Sequence, residues 1–248
     1  MPKIQNVAQT SDYFVRFTLP PSGLRNHLRR KGIDSRFIAD NVGLLCYNAA
    51  LPGSALASQN ITGDYQGMVE RFAHTRNFTQ VNFEINRVLV RRAISLLQPK
   101  PGEIIGDYFC GLGNFSLPIA ARGAFVKGYE GNSSLIDQAS LNAEENGLSS
   151  NTSFSVTDLF SDDPKIAQEI NRLDKCLIDP PRDGASQLVT KIGLAGPRVI
   201  VYISCNSATL ARDAGVLVNT KGYKCKGVGI VNMFPNTSHF EAIAKFVR

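Results

Sequence analysis

Residues 199–213 have the sequence VIVYISCNSATLARD and contain the strand-to-helix transition that decides the fold. Their first five residues are apolar and rich in β-branched side chains, which predicts a buried strand. After Ser204, Cys205 and Asn206 the spacing of the apolar residues becomes helical. Cys205 therefore lies where a strand ends and a helix begins, the edge at which open α/β sheets place their chemistry. Because free amides and the helix dipole favour an anion there, we expect a stabilised thiolate.

Strands and helices alternate around this stretch from residue 78 to residue 248. The spacing of apolar residues predicts helices at residues 81–97, 115–122, 134–146, 164–170 and 187–194. Short apolar runs predict strands at residues 104–109, 125–130, 152–156, 175–179 and 199–203. Two further strands, 223–233 and 240–247, follow each other without a helix, which indicates an antiparallel hairpin. The order predicts an α/β fold with a doubly wound, mostly parallel, seven-stranded sheet.

The first 77 residues differ from this regular pattern. A strand is predicted at residues 15–19 and a short basic helix at residues 24–32, with turn signals after them. We therefore divide the chain into a small N-terminal α+β segment, residues 1–77, and a main domain, residues 78–248.

Composition limits the classes of protein to which the chain can belong. With 248 residues, 43% hydrophobic and 19% charged, it is typical of a globular protein with an ample core. The net charge of +6 favours an anionic partner, although so mild an excess is often only a solvated surface. Five scattered cysteines without a CxxC pair indicate neither a disulfide framework nor a metal site. With no signal peptide and no membrane-spanning stretch, we expect a cytoplasmic protein without a membrane partner.

Residues 107–115, DYFCGLGNF, predict a ligand-binding turn between a strand and a helix. Two glycines let the backbone approach a ligand closely. About twenty residues later, Glu130 ends the second strand, where a carboxylate can hold the two hydroxyls of a ribose. The spacing is not GxGxxG, which disfavours a dinucleotide oxidoreductase. Together the glycines and Glu130 predict a cofactor that contains adenosine.

Two further carboxylates follow strand positions at the same edge. Asp179 precedes Pro180 and Pro181, a rigid turn that fixes the acid at the sheet edge or simply ends the strand. Glu241 opens the last strand, beside Cys205 in the predicted topology, so that a thiol and a carboxylate could converge. The alternatives are a solvated loop acid for Glu241 and a buried structural cysteine for Cys205.

Seven segments in this order resemble the RNA uracil-5-methyltransferase family, and within it the bacterial enzymes that modify 23S ribosomal RNA. The resemblance covers residues 78–248 and rests on FTQVN, DYFCGLGNFSLP, GYEG, NAEENGL, LIDPPRDGA, YISCNSATLARD and MFPNTSHFE. It implies the Rossmann-like methyltransferase sheet, S-adenosylmethionine as the cofactor and 23S ribosomal RNA as the partner of a monomer. It also implies a pocket for the cofactor and the target base, lined by Gln80, Phe109, Asn114, Glu130, Asp158 and Asp179.

The resemblance further implies Cys205 as the nucleophile and Glu241 as the general base. Addition of a thiolate to C6 of uracil makes C5 nucleophilic, and a carboxylate then removes the C5 proton after methylation. A stacked base cannot be reached, so the target must be flipped out or presented in a loop.

Three features depart from the family pattern. Ser207 stands where the family has proline, and Asn236 stands where it has histidine. The N-terminal RNA-binding barrel and the cysteine-ligated iron–sulfur cluster of such enzymes have no counterpart, so we expect no metal. Residues 1–77 resemble the end of the central RNA-contacting domain, and the chain is either a fragment or a shortened member. The alternatives are a transfer-RNA uracil-5-methyltransferase and a catalytically weak fragment that binds RNA or cofactor.

Overall fold

The computed structural model describes residues 15–17, 44–47, 83–231 and 240–248. The predicted basic helix at residues 24–32, Gln80, Asn236 and the domain boundary after residue 77 lie outside the described residues. The boundary therefore stays a prediction.

The described part of the chain contains nine strands and six α-helices in one α/β unit. The strands are β1 Val15–Phe17, β2 Leu44–Tyr47, β3 Ile104–Tyr108, β4 Phe125–Glu130, β5 Thr152–Val156, β6 Lys175–Ile178, β7 Val199–Ser204, β8 Lys224–Val231 and β9 Glu241–Val247. The helices are α1 Phe83–Leu97, α2 Ser116–Ala120, α3 Ser133–Glu145, α4 Pro164–Ile170, α5 Ser186–Lys191 and α6 Ser207–Asn219. None of these six helices is both long and apolar enough to cross a membrane.

All nine strands form one sheet in the order β1-β2-β8-β9-β7-β6-β3-β4-β5. Strands β3 to β7 are parallel to one another, and β9 is antiparallel to both β7 and β8. The seven strands from β3 to β9 confirm the predicted doubly wound sheet and its antiparallel ending. The sequence pattern did not predict that β2 pairs with β8 and extends the sheet. This pairing satisfies backbone groups along β8 that an edge strand would leave open.

The central strands are buried on both faces, which explains their nearly continuous apolar sequences. Successive residues alternate between the two halves of the core. Leu177 and Val201 pack with α1 and α2 on one face, whereas Ile178 and Tyr202 pack with α4, α5 and α6 on the other. The two layers of helices therefore hold both ends of every central strand in fixed positions.

Most predicted boundaries lie close to the observed ones, and the differences have local causes. Helix α1 ends before Gln98, whose φ is 51°, and before Pro99, which cannot continue a helix. Helix α5 ends at Lys191 rather than at residue 194, because the backbone of Ile192 is extended.

A buried ion cluster lies at the amino-terminal edge of the parallel strands. The Nζ of Lys175 lies 2.7 Å from the Oε2 of Glu103, and both side chains are almost fully buried. Arg198 contacts Glu103 as well and lies 2.9 Å from Asp174. This cluster, named here the amino-edge cluster, stands at the edge opposite to Cys205.

Candidate active site

Sheet register brings Cys205 and Glu241 to the same edge. Strand β7 runs antiparallel to β9, and Ser204 is paired with Ala242. Cys205 follows Ser204, and Glu241 precedes Ala242, so the two residues occupy facing positions just beyond that pair. Because β9 runs against the parallel strands, its first residue lies at their carboxyl ends. The structure thus places the predicted nucleophile opposite the predicted base.

Asp179 joins this pair from the neighbouring strand. Ile178 is paired with Tyr202, so Asp179 lies at the level of Ile203, close to the end of β7. Its backbone N–H donates to the carbonyl of Tyr108 at 3.2 Å, which holds it at the end of β6. Asp179, Cys205 and Glu241 therefore come from three adjacent strands.

The charges around Cys205 contradict the expected stabilised thiolate. Burial raises the pKa of the Cys205 thiol, and the negative charges of Glu241 and Asp179 raise it further. The positive charge of Arg182 and a backbone hydrogen bond act in the opposite direction but are weaker. Burial and the carboxylates from other strands therefore favour the neutral thiol of Cys205 over the thiolate, and they outweigh the local effect of the helix.

The two carboxyl groups also favour their neutral forms. Burial raises the pKa of Glu241, which is only 7% exposed. Burial, together with the charges of Glu241 and Asp107, raises the pKa of Asp179 well above that of an ordinary aspartate. Two acids with raised pKa values beside a thiol are typical of a site that transfers protons.

The glycine turn lies farther along the same edge, where β3 ends. Phe109 has a φ of 64°, in the left-handed region, and its N–H donates to the carbonyl of Tyr129 at 2.9 Å. Gly111 has a φ of 55°, and a Cβ placed there would meet no atom within 4 Å. The turn thus combines strained backbone with open space in front of it.

Glu130 joins the glycine turn to the end of β4. Its Oε2 accepts from the N–H of Gly111 at 3.3 Å, and its Oε1 accepts from the N–H of Asn132 at 3.1 Å. Asp158 follows β5 and accepts from the N–H of Phe160 at 3.0 Å. The ring of Phe160 lies 5.5 Å from that of Phe109. Phe109, Glu130 and Asp158 therefore lie at the carboxyl ends of β3, β4 and β5.

Asn114 is held by a partner that the sequence did not reveal. Its side-chain amide and that of Asn86 in α1 exchange two hydrogen bonds, at 2.9 and 3.1 Å. Asn86 is a single polar residue in the apolar stripe of α1, and that interruption is the signal that could have identified it.

Asp107 is a second residue that sequence reasoning missed. It is fully buried in β3, and its Oδ2 accepts from the hydroxyl of Ser116 at 2.5 Å. Its Oδ1 has no hydrogen-bond partner among the described residues. Burial raises the pKa of Asp107 to about 7, despite the hydrogen bond from Ser116. A buried strand residue with a charged side chain was the available signal.

The Asp107→Asn variant is expected to change how stability depends on pH. In the wild-type chain the pKa of Asp107 is higher in the folded state than in the unfolded state. As pH rises from about 4 to about 7, Asp107 therefore ionises more readily in the unfolded chain, and the free energy of unfolding falls. The shift from 3.8 to about 7 corresponds to about 4 kcal/mol at most. The free energy of unfolding of the variant should lack this decrease, so the variant should become more stable relative to the wild type as pH rises across that interval. Urea denaturation at several pH values measures the free energy of unfolding of both proteins. If it depends on pH in the same way in the variant and in the wild type, the prediction is contradicted.

Ser207 is the first residue of α6 and is expected to tolerate the proline typical of the family. Asn206 precedes it with extended backbone, φ −135° and ψ 104°, which is compatible with a following proline. The first N–H of a helix has no partner within the helix, so proline removes no helical bond there. Ser207→Pro should raise the free energy of unfolding by about 0.5–1 kcal/mol. Thermal unfolding checks this, and a lower melting temperature would contradict it.

In the stretches that the structure describes, no three His, Cys, Asp or Glu side chains are grouped to hold a metal ion.

Curated relatives resemble the main domain. The 23S rRNA (uracil(1939)-C(5))-methyltransferase RlmD of Azoarcus sp. (strain BH72) is 58% identical over 173 residues, covering 69% of this chain and 40% of the relative. The enzyme of the same name from Thiobacillus denitrificans (strain ATCC 25259 / T1) is 54% identical over 183 residues, covering 73% and 42%. The chain thus spans about 40% of the length of these relatives.

Solved structures share the fold. The tRNA (uracil-54, C5)-methyltransferase of Pyrococcus abyssi, solved with S-adenosyl-L-homocysteine, has a TM-score of 0.60 at 34% identity, covering 69% of this chain and 40% of that one. Magnesium protoporphyrin IX methyltransferase from Synechocystis PCC 6803, solved with bound SAM, has a TM-score of 0.52 at 20% identity, covering 82% and 100%. The second likeness supports the fold alone.

Two family models match the sequence. A phage tail tube protein model matches residues 8–87, mostly outside the described residues and less than half of the chain. A model of tRNA (Uracil-5-)-methyltransferase matches residues 58–246, which include the glycine turn, Asp179, Cys205 and Glu241. This match covers well over half of the chain and agrees with the resemblance in the sequence segments. The chain therefore belongs to the tRNA (uracil-5-)-methyltransferase family.

Proposed function

We propose that the chain is the catalytic part of an enzyme that methylates C5 of a uridine in 23S ribosomal RNA, using S-adenosylmethionine and acting as a monomer. The facing positions of Cys205 and Glu241 at the carboxyl edge carry this proposal. A thiol and a carboxylate are the two groups that C5 methylation of uracil needs, and they lie at the same edge as the glycine turn. The identity of 58% to a 23S rRNA enzyme supports ribosomal RNA as the substrate.

The residues of the edge fit S-adenosylmethionine. The open space at Gly111 leaves room for a ligand beside the backbone. The carboxylate oxygens of Glu130 each keep a lone pair beyond their bonds to backbone N–H groups, so they can accept from ribose hydroxyls. When bound, the cofactor supplies an electrophilic methyl group. The residues proposed to hold it and the target base are Gln80, Phe109, Asn114, Glu130, Asp158 and Asp179.

Cys205 and Glu241 divide the reaction on the base into two parts. The thiol first loses its proton to solvent. The sulfur then adds to C6 of uracil, and the electron pair of the C5–C6 double bond passes into an enolate over C5, C4 and the C4 oxygen, so that C5 becomes the nucleophile. Once C5 carries the methyl group, Glu241 removes the C5 proton, the C5–C6 double bond forms again and the C6–S bond breaks. Burial shifts the pKa of Glu241 upwards, towards neutral pH, and a general base is most effective when its pKa lies near the pH of the reaction.

A transfer RNA substrate is the second candidate. The matched structure from Pyrococcus abyssi is a tRNA (uracil-54, C5)-methyltransferase at 34% identity. The identity to curated 23S rRNA enzymes is higher, which favours ribosomal RNA.

Label transfer tests the substrate. The purified chain is incubated with methyl-labelled S-adenosylmethionine and either 23S ribosomal RNA or transfer RNA. We expect label in 5-methyluridine of the ribosomal RNA and none in the transfer RNA. Label in transfer RNA alone would establish the second candidate instead.

Covalent trapping tests the chemistry. In RNA that contains 5-fluorouridine, no C5 proton is available to Glu241, so the adduct to Cys205 should persist as a slow band on a denaturing gel. If cofactor binds but neither label nor adduct forms, the chain is a binding fragment and the proposed activity is wrong.

A further inference from the structure

The loop after Asp179 is tied to helix α6 through its backbone. We call residues 180–185 the acid loop. Asn206 and Thr209 donate side-chain hydrogen bonds to the carbonyl of Arg182, at 3.0 and 3.3 Å. Arg212 donates from Nη2 to the carbonyl of Asp183 at 2.9 Å. These bonds join the segment that follows Asp179 to the helix that follows Cys205.

Asp213 is the centre of this connection. Its side chain is fully buried in α6. Its Oδ2 accepts from the hydroxyl of Tyr202 at 2.6 Å and from the N–H of Ala185 at 2.7 Å. Its Oδ1 accepts from the Nε of Arg212 at 2.8 Å. One carboxylate therefore joins the acid loop, strand β7 and helix α6.

The acid loop fits closely against this carboxylate. Gly184 has a φ of 76°, and a Cβ placed there would come within 2.8 Å of the Oδ2 of Asp213 and 2.5 Å of Arg212. Only glycine permits both the conformation and the approach. The loop is thus shaped for contact with Asp213.

Packing alone does not require a charge at this position. Helix α6 already buries Leu210, Ala211 and Leu217 in the core. A buried ionic group is seldom more stabilising than an apolar residue of similar size. The donors to Oδ2 come from the acid loop, which follows Asp179, and from β7, which leads to Cys205. This indicates that Asp213 has a function in the relative placement of these two segments.

We propose that Asp213 is a positioning residue, which holds the acid loop against β7 and α6 so that Arg182 stays beside Cys205. The inference deepens the proposed function and rests on it. Asp213 touches neither substrate nor cofactor in this scheme and acts through the loop. Its loss should change the environment of Cys205 without changing the glycine turn.

Release of the loop has a defined electrostatic consequence at Cys205. The charged groups that act on the thiol are Glu241 from β9, Asp179 at the end of β6 and Arg182 in the acid loop. Asp179 is held separately by its hydrogen bond to Tyr108, so only Arg182, whose charge lowers the pKa of Cys205, moves with the loop. Displacement of the loop should therefore raise that pKa and slow addition to uracil.

The Asp213→Asn variant tests this inference. An asparagine NH₂ group would face a donor in either orientation, Arg212 on one side or the amide of Ala185 on the other. The pKa of Cys205 is measured from the pH dependence of its alkylation by iodoacetamide, resolved by peptide mass spectrometry. Adduct formation with 5-fluorouridine RNA is timed in parallel. We expect a higher pKa of Cys205 and an adduct rate reduced about a hundredfold.

Glu103→Gln is the matched control. It removes another buried carboxylate, in the amino-edge cluster, and should destabilise the chain while leaving both readouts at Cys205 unchanged. If Asp213→Asn lowers only the melting temperature, as Glu103→Gln does, the positioning role is overturned. If it shifts the alkylation profile while even the wild-type chain forms no adduct, the positioning role stands and the proposed function fails.

A second variant covers the case in which Asp213→Asn does not fold. Arg212→Gln removes the bonds to Asp183 and to the Oδ1 of Asp213, but both donors to the Oδ2 of Asp213 remain. Because the side chain of Arg212 is 45% exposed, folding should persist. We expect the pKa of Cys205 and the adduct rate to change in the same directions as in Asp213→Asn, but by less. An unchanged alkylation profile and adduct rate in this variant would overturn the inference.

Discussion

Replacement of Cys205 by alanine should abolish methyl transfer while binding of S-adenosylmethionine survives. The covalent route through C6 is lost, and losses of a nucleophile reduce turnover by about ten-thousand-fold or more. The glycine turn and Glu130 lie on β3 and β4, away from the altered side chain. Label transfer measures turnover, and equilibrium dialysis measures cofactor binding.

Cys225→Ala is the control for loss of a buried thiol. Cys225 lies near the start of β8, at the edge of the sheet opposite to Cys205, and its thiol donates to the carbonyl of Gly227. This variant should keep wild-type activity. Residual activity of Cys205→Ala within about tenfold of the wild type would contradict the nucleophilic role.

Replacement of Glu241 by glutamine should stop the reaction at a later stage. Addition of Cys205 and methylation of C5 can still occur, but the C5 proton has no acceptor, so the thiolate is not expelled. We expect a methylated covalent complex between protein and RNA to accumulate, with release slowed about a hundred- to ten-thousand-fold. A denaturing gel with labelled cofactor detects it as a slow, labelled band.

The control for this variant is Glu103→Gln, which neutralises a buried carboxyl group at the opposite edge. It should form no persistent complex. Normal turnover of Glu241→Gln would show that another group removes the proton, and Asp179 would be the next residue to replace.

Most of the fold could be predicted because its signals are local. The limits of β4, β5 and α4 agree with the prediction, since each begins or ends at a clear change in apolar spacing or at Pro164. The doubly wound sheet and its antiparallel ending followed from the alternation of patterns and the missing helix before β9. By contrast, the pairing of β2 with β8 depends on residues far apart in the sequence, for which no local pattern exists.

The positions of the candidate site residues were also predictable, but their electrostatics were not. The end of β7 identified Cys205, and the topology placed Glu241 beside it. The pKa of Cys205 depends on charges from β6 and β9, which a local argument about helix α6 does not include. Asp213 and Asn86 were missed for the same reason, because their partners lie on other elements.

From the central place of β9 we expect that the candidate active site forms in a late step of folding. This strand lies between β7 and β8 and pairs with both, so both have an open edge until it docks. The pairing with β7 joins segments about forty residues apart, and such long loops close slowly. An intermediate without β9 would lack Glu241 at the edge and would expose two strands prone to aggregation. During refolding, methyl transfer should therefore return only after most of the helical signal has recovered.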